Sequence, residues 1–595
     1  MLPRKLLTIV VLLSFAFTSH DNCAQVVYHF KAIQANKSIT IASLSDWPVE
    51  KTILNKNIDS FQFQIILQPK GDYLYYEVKA SSTSTDSLFL ALEFEYKKGT
   101  AMNFNGPVLN QEIYRQSVHD PTNYFFRSLP RQSIPMIAVN SGDSTFAAIS
   151  DAPAFYNNFT TQYFNPDQRK MYIGGGDNGQ TPGNKVDKSV IVKSFYPIVA
   201  QGKQIEFNGL IMRSKTGSLS AMRQDIFKAI SERWGSISTK FGATAFASNY
   251  MLYRTNEIAN SKYWVVAGID YCNKQYTRDS FWQTMVLSPE MEQQSYLHEA
   301  QSMPTGAERQ LIVLIWAYRL KKKGGTPDLN AARKNLEYIE KRVSGARYKA
   351  ISSDDPENRK NFKSWFDLCM FEDDDVISYN QGLLAVALHA ASELGLRPSV
   401  KWQDAAAAYR NIFYKEGGYF PISEQKKDIV AVDATIGDLL HMLLFNSPLL
   451  EKEQVASHFM KVSSVAKTDH GFKIVCMPDG SYVPSEKFDI PGFVSPHAKI
   501  PVGDYANGGS YYLYDMLFLI NAYVRHIPGA AELLIWRGTI DFKREGAYYE
   551  HLNTVSGKPG KINQGWNGAI YAIMHAFEKN GVASDILTKE IEQIP

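Results

Sequence analysis

Four stretches of the chain set acids, an arginine and indoles where a purely structural backbone has little use for them. YCNKQYTRDSFWQTM places Arg278 and Asp279 beside Trp282 at the start of an amphipathic run. A guanidinium next to a carboxylate can hold two vicinal hydroxyls through charged donors and acceptors, while an indole covers an apolar face. KSWFDLCMFEDDDVISYNQG leads from Trp365 into Asp367, an acid alone among Trp, Phe, Leu and Cys, and then into the run Glu372–Asp375. Partial burial among such neighbours raises a carboxyl pKa, as a general acid at neutral pH requires. Four adjacent acids, by contrast, face solvent, cap a helix or hold a cation. PVGDYANGGSYYLYDML brings Tyr505 and Asn507 up to two glycines just ahead of a helix, so the backbone there can approach a ligand closely. AYYEHLNTVSGKPGKINQGWNGA carries Tyr549 and Glu550 into a Gly/Pro turn and out to Gln564 and Trp566 at another helix mouth. A carboxylate in that position can polarise a water.

Other chemistries lack their signatures. HExxH, CxxC and GxSxG are absent, and the 12 histidines are dispersed, so neither a zinc site nor a serine-esterase elbow is expected. GGGDNG at 174–179 has no following helix with Lys-Ser/Thr and reads as a glycine-rich hairpin rather than a phosphate loop. What remains is a pair of carboxylates from distant parts of the chain, each among aromatics. Cleavage of a glycosidic bond needs such a pair, one to protonate the leaving oxygen and one to activate water or attack carbon. Glu550 is one member; the acid is Asp367 or one of Asp373, Asp374 and Asp375. No cofactor is implied.

These residues need rigid elements to hold them. Residues 1–24 read as a signal peptide: Arg4 and Lys5 precede the apolar run Leu6–Phe17, and small residues end at a mature start of Gln25. An exported protein, periplasmic or secreted, is the expectation, and no other run is apolar for long enough to span a bilayer. A net charge of +3 over 595 residues, without a basic cluster beyond Lys321–Lys323, argues against nucleic acid. From 25 to 215, runs such as FQFQIILQP and YLYYEVKAS alternate with period two between turn residues, the pattern of an antiparallel β-sandwich. From 220 to 595 the period changes to 3.6 and about twelve amphipathic helices follow, joined by very unequal loops. No repeat signature recurs, so a closed double ring is expected rather than an open solenoid.

A β-sandwich followed by such a ring, with RDSFW, WFD, YANGGS and YYEHLNTVSGKPG…NQGWNGA, resembles the (α/α)6-toroid glycoside hydrolases of the glucoamylase, processing α-glucosidase and trehalase type. The resemblance implies that Arg278 and Asp279 hold a sugar, that Asp367 is the general acid and Glu550 the general base, and that the anomeric centre inverts. Trp282, Trp365, Tyr505, Asn507, Tyr549, Gln564 and Trp566 would line the substrate. The partner implied is an oligosaccharide or polysaccharide, most simply an α-linked glucoside. The proline common ahead of the Arg–Asp pair is Thr277 here. Toroids also carry polysaccharide lyases and non-catalytic carbohydrate-binding proteins, which stand as the alternatives.

Overall fold

The computed structural model describes residues 26–594 apart from 35–36, 46, 84–85, 88, 105, 108–116, 120–124, 129–133, 135, 151–159, 166–168, 176–197, 200–203, 216, 261–264, 268–274, 302–306, 351–362, 367–370, 489–499 and 580–585. The signal-like segment, most of GGGDNG and Asp367 therefore lie outside the described residues.

Alternating burial builds the first region. In Phe61–Lys70, Phe61, Phe63, Ile65 and Leu67 point inward and the residues between them do not. Two antiparallel sheets result. One runs Ser117–His119, Phe125–Ser128, Thr160–Asn165, Lys170–Gly175, Phe89–Tyr96, Val26–Gln34, Lys37–Leu44. The other runs Thr52–Ile58, Phe61–Lys70, Tyr73–Ser82, Gln204–Ser214, Thr145–Ser150, Met136–Asn140, Thr100–Asn103, Gly106–Pro107. Phe30, Ile65, Leu92, Val139 and Ile211 are among the side chains that fill the core shared by the two sheets. Other residues of the second sheet, including Met136, Ala138, Ile149 and Leu210, pack on Met222, Ile226 and Phe227 of the helix Leu219–Trp234 and so join the two regions.

The rest is helical, with stacked antiparallel helix pairs in a toroid-like ring. The inner elements are Thr277–Gln283, continued by the 3-10 turn Thr284–Val286, then Ala307–Lys322, Ser378–Glu393, Ile436–Phe445, Tyr512–Val524 and Ala569–Lys579. Each packs on the next, and the last returns to Thr284–Val286, which closes the ring. Outer helices back them: Pro289–Ala300 and Leu329–Glu340 on Ala307–Lys322, Trp402–Arg410 on Ser378–Glu393, Lys452–Val465 and Ala530–Glu545 on Tyr512–Val524. Ser378–Glu393, Ile436–Phe445 and Tyr512–Val524 are apolar nearly all round because both faces are covered.

Two helices have no counterpart in the periodic pattern. Lys240–Asn260 is a mixture of small and aromatic residues without a stripe, since it lies between the sheet region and the ring. Pro289–Ala300 is too polar to show one, and it is held by its Ser288 cap and by Glu292, which receives Arg319 Nε at 2.7 Å. Ile436–Phe445 is preceded by a 3-10 turn, Val432–Thr435, and Tyr512–Val524 by a short strand, Ser510–Tyr511. No helix among the described residues is long and apolar enough to cross a membrane.

Candidate active site

Each inner helix brings a polar or aromatic side chain from its first turn, or from the residues just ahead of it, into one group. Arg278 comes from Thr277–Gln283, and its Nη1 donates to Glu308 Oε2 at 3.3 Å, in the first turn of Ala307–Lys322. Glu308 Oε1 accepts from the hydroxyl of Tyr379 at 3.0 Å, in the first turn of Ser378–Glu393. Asp433 stands just before Ile436–Phe445, Tyr514 lies in the first turn of Tyr512–Val524, and Trp566 leads into Ala569–Lys579. The guanidinium of Arg278 is 5.5 Å from the ring centroid of Trp566 and 5.8 Å from that of Trp365. Trp365 in turn lies 4.1 Å from Tyr514 and 5.4 Å from Tyr511. The result is a charged centre inside a wall of indoles and phenols.

Asp279 is buried in that group. Its Oδ1 accepts from Gln564 Nε2 at 2.9 Å, and its Oδ2 is 3.7 Å from Arg278 Nη2. Burial pushes the carboxyl up to about 6; Arg278 pulls it down, and the nearby charge of Glu550 adds to the rise. Gln564 can reach Asp279 because the next residue is glycine: a Cβ on Gly565 would stand 2.0 Å from Gln283 Nε2.

Glu550 sits on a hairpin formed by the Gly/Pro-rich turn. Its N–H donates to Lys561 O at 2.6 Å, and Gly560 N–H donates to His551 O at 2.9 Å. The neighbouring pair His551–Leu552 forms a ladder with Ser510–Tyr511. Both strands are tied to one buried arginine underneath. Arg537 Nε donates to Asp515 Oδ2 at 2.7 Å, and that oxygen also accepts from Ser510 Oγ at 2.6 Å. Arg537 Nη1 donates to Asp541 Oδ1 at 3.4 Å, and Asp541 Oδ2 accepts from Tyr549 N–H. Such a network is strongly destabilised when one partner is lost, so it holds Glu550 in a fixed place. Beside Glu550, His551 has Nδ1 at 3.8 Å from Glu550 Oε2 and Nε2 at 3.1 Å from Asp504 Oδ1.

Of the residues singled out in the sequence, Arg278, Asp279, Trp365, Glu550, Gln564 and Trp566 come together. Tyr505 stands at the edge against Tyr511 and His551, with a φ of +38° that costs a bulky residue about 1–2 kcal/mol. The others do not join them. Trp282 is in the core against Phe281. Asn507 braces its own loop, donating from Nδ2 to Ile500 O. The hydroxyl of Tyr549 is directed to Glu545, which pairs with Arg223 at the junction with the sheets. Asp367 falls outside the described residues, although Trp365 and Phe366 just before it are buried here. Among the alternative acids, Asp374 is exposed and Asp373 is an exposed partner of Lys363 at 2.7 Å. Asp375 clasps a loop, accepting from Val376 N–H and Gln425 N–H.

Glu308, Tyr379, Asp433, Tyr511, Tyr514 and His551 were not singled out. For all but His551 the signal is positional, a polar or hydroxylated residue at or just ahead of the start of a helix; His551 is the strand neighbour of Glu550. His29, Glu93 and Glu95 have the spacing of metal ligands, but Lys31 and Lys170 stand 3.5 and 3.7 Å from Glu93 and supply the counter-charge.

No model of a known family matches the chain, and no curated protein matches it. Solved structures show distant similarity. A bacterial glucoamylase complexed with acarbose is 12% identical with a TM-score of 0.40, covering 95% of this chain and 90% of that one. A GH63 mannosylglycerate hydrolase from Thermus thermophilus in complex with glucose is 13% identical with a TM-score of 0.35, covering 52% of this chain and 95% of that one. A polysaccharide lyase is 8% identical with a TM-score of 0.23, covering 93% and 92%. No residue role is carried over from any of them.

Proposed function

We propose that the chain is a glycoside hydrolase that cleaves an α-linked glucoside or oligoglucoside with inversion. The observation that supports this reading is that Asp279, buried between Arg278 and Gln564 beside an indole wall, feels the charge of Glu550, a buried carboxyl from the other end of the helical region. On this reading Arg278 and Asp279 hold two sugar hydroxyls and the indoles of Trp365 and Trp566 cover the sugar face. Glu550 takes a proton from the attacking water, and Asp367, two residues beyond Trp365, protonates the departing oxygen. An inverting pair stands about 6.5–9.5 Å apart, which leaves room for that water.

The charge of the lining favours an uncharged sugar over a uronic acid. Asp279, Glu308, Asp433, Asp504 and Glu550 outnumber Arg278 and His551 around the group. A lyase acting on a uronate would place its substrate's carboxylate against that excess of negative charge. Action outside the cytoplasm, periplasmic or secreted, belongs to the same proposal.

The test is to incubate the purified protein with defined α- and β-linked disaccharides and oligosaccharides, reading reducing-end release and the anomer first formed. Release of a β-anomer from an α-linked glucoside supports the proposal. An unsaturated, ultraviolet-absorbing product from a uronate polymer replaces it with elimination, and tight glycan binding without turnover replaces it with a binding protein. Given a substrate, Asp367→Asn should be crippled on the oligosaccharide yet spared on the glycosyl fluoride, which leaves with little proton help. Glu550→Gln should be crippled on both.

A further inference from the structure

Asp433 comes from the 3-10 turn ahead of Ile436–Phe445, on a different wall of the ring from Arg278. It is 6% exposed, and its Oδ2 accepts from the indole N–H of Trp365 at 2.5 Å. Trp365 carries that contact into the site, with Tyr514 and Tyr511 against its ring and the Arg278 guanidinium 5.8 Å from its centroid. The segment bearing Trp365 is also tied to a neighbouring inner helix by Asn380 Nδ2, which donates to Lys363 O at 2.7 Å. We infer that Asp433 is a positioning residue for the proposed hydrolysis: it fixes the indole plane of Trp365 against Tyr511, Tyr514 and the Arg278 guanidinium. This rests on the glycosidase reading for its catalytic meaning, but the contact itself can be tested without any substrate.

A carboxylate is a stronger acceptor than the neutral acid, so the hold on the indole depends on the proton of Asp433. Burial pushes that carboxyl up to about 6, with the Trp365 hydrogen bond pulling it back. The titratable and charged groups that act on it or on its indole are Glu308, Tyr409, Tyr511, Tyr514 and Arg278. Ionisation of Asp433 should therefore change the surroundings of one particular indole.

The experiment follows tryptophan emission of the full chain from pH 4 to 8 in wild type, Asp433→Asn and Trp365→Phe, with circular dichroism to establish folding. A component centred near 6 in wild type that both variants lose is the expected result, with any remaining step near 6 belonging to Asp279 beside Arg278 and Trp566. A step of undiminished amplitude in either variant, or no step in wild type, overturns the pairing whatever the protein catalyses. Kinetics on maltose and 4-nitrophenyl α-glucoside then test the role. Asp433→Ala should lose about tenfold or more in kcat/KM, the scale of a displaced site wall. Asp433→Asn, which keeps an acceptor, should recover most of it. Trp365→Phe combined with Asp433→Ala should be little worse than the worse single variant. Additive losses, or an asparagine variant as inactive as the alanine one, reject positioning through Trp365. Failure of both substrates to turn over in wild type counts against the glycosidase reading and leaves the emission result to decide the pairing.

Discussion

Where the inner helices begin, Arg278, Asp279, Glu308, Tyr379, Asp433 and Tyr514 crowd around a polar centre. Where three of them end, Tyr318, His389, His441 and Phe445 stack ring on ring. Tyr318 lies 4.8 Å from Phe445, and His389 lies 3.8 Å from Phe445 and 4.4 Å from Trp402. The polar atoms at this far end are used up locally: His389 Nδ1 meets His441 Nε2 at 2.9 Å, and His441 Nδ1 meets Ser447 O at 2.6 Å. The same helices thus carry acids at one end and neutral rings at the other. Helix starts expose N–H groups and a partial positive charge, which favour carboxylates. The connections differ as well. On the helix-start side, long segments fold into ladders such as Ser510–Tyr511 with His551–Leu552, while the far end turns back through short links such as 446–451. Chemistry collects at the end where long segments can be shaped around it.

The largest effect that separates the ends is loss of the base. Glu550→Gln should lower kcat by about 10²–10⁴-fold while leaving the melting temperature nearly unchanged. At the other end, Phe445→Ala should cost about 2 kcal/mol of stability, less than a fully buried ring because Phe445 is half-buried. Its kcat/KM should stay within about threefold of wild type, well under 1 kcal/mol. Denaturant melts and initial rates on both variants check the contrast, and a Phe445 variant that is stable yet inactive would break it.

Next in size is Asp279→Ala, which should lose roughly 2–4 kcal/mol of transition-state binding by leaving Arg278 and Gln564 without their partner. A kcat/KM within about threefold of wild type would reduce Asp279 to a helix-start acid.

The two ends should also respond oppositely to pH. Asp279 and Asp433 are pushed up from 3.8 to about 6, so between those values the folded chain holds protons the unfolded chain has released. Stability from this end falls as pH rises through that window. Burial pushes His441 down from 6.5 to about 4, so there the unfolded chain binds the proton and stability rises with pH. Each group is worth up to about 3 kcal/mol across its window. Urea melts at pH 4, 5, 6 and 7 should tilt upward in Asp433→Asn and downward in His441→Gln relative to wild type. Curves parallel to wild type would mean these groups do not titrate differently on folding. The smallest effect belongs to Tyr549→Phe, expected to change kcat/KM by less than about threefold because its hydroxyl is directed at Glu545.

The order of sheets then helices was readable because period two and period 3.6 are physical consequences of burying one face. Lys240–Asn260 was not, since a helix covered on several sides loses its stripe. At the site, residues that break a local pattern stood out, as Glu550 does among tyrosines and Arg278–Asp279 do ahead of an indole. Glu308 and Asp433 did not, because an acid at a helix start is ordinary until other helices arrive beside it. Trp282 was misleading for the opposite reason: close to Asp279 in sequence, it points into the core one turn further along the helix.

The bond between Gln564 and Asp279 joins positions 285 residues apart. At about 5–20 residues per second, a ribosome adds Gln564 roughly 15–60 s after Asp279. For that interval the carboxyl has no amide partner, Trp566 does not exist, and the first inner helix has nothing to close against. A chain cut short before residue 564 would lose the wall that carries Gln564 and Trp566, not merely a terminal helix. The centre is completed only when the last inner element of the ring arrives.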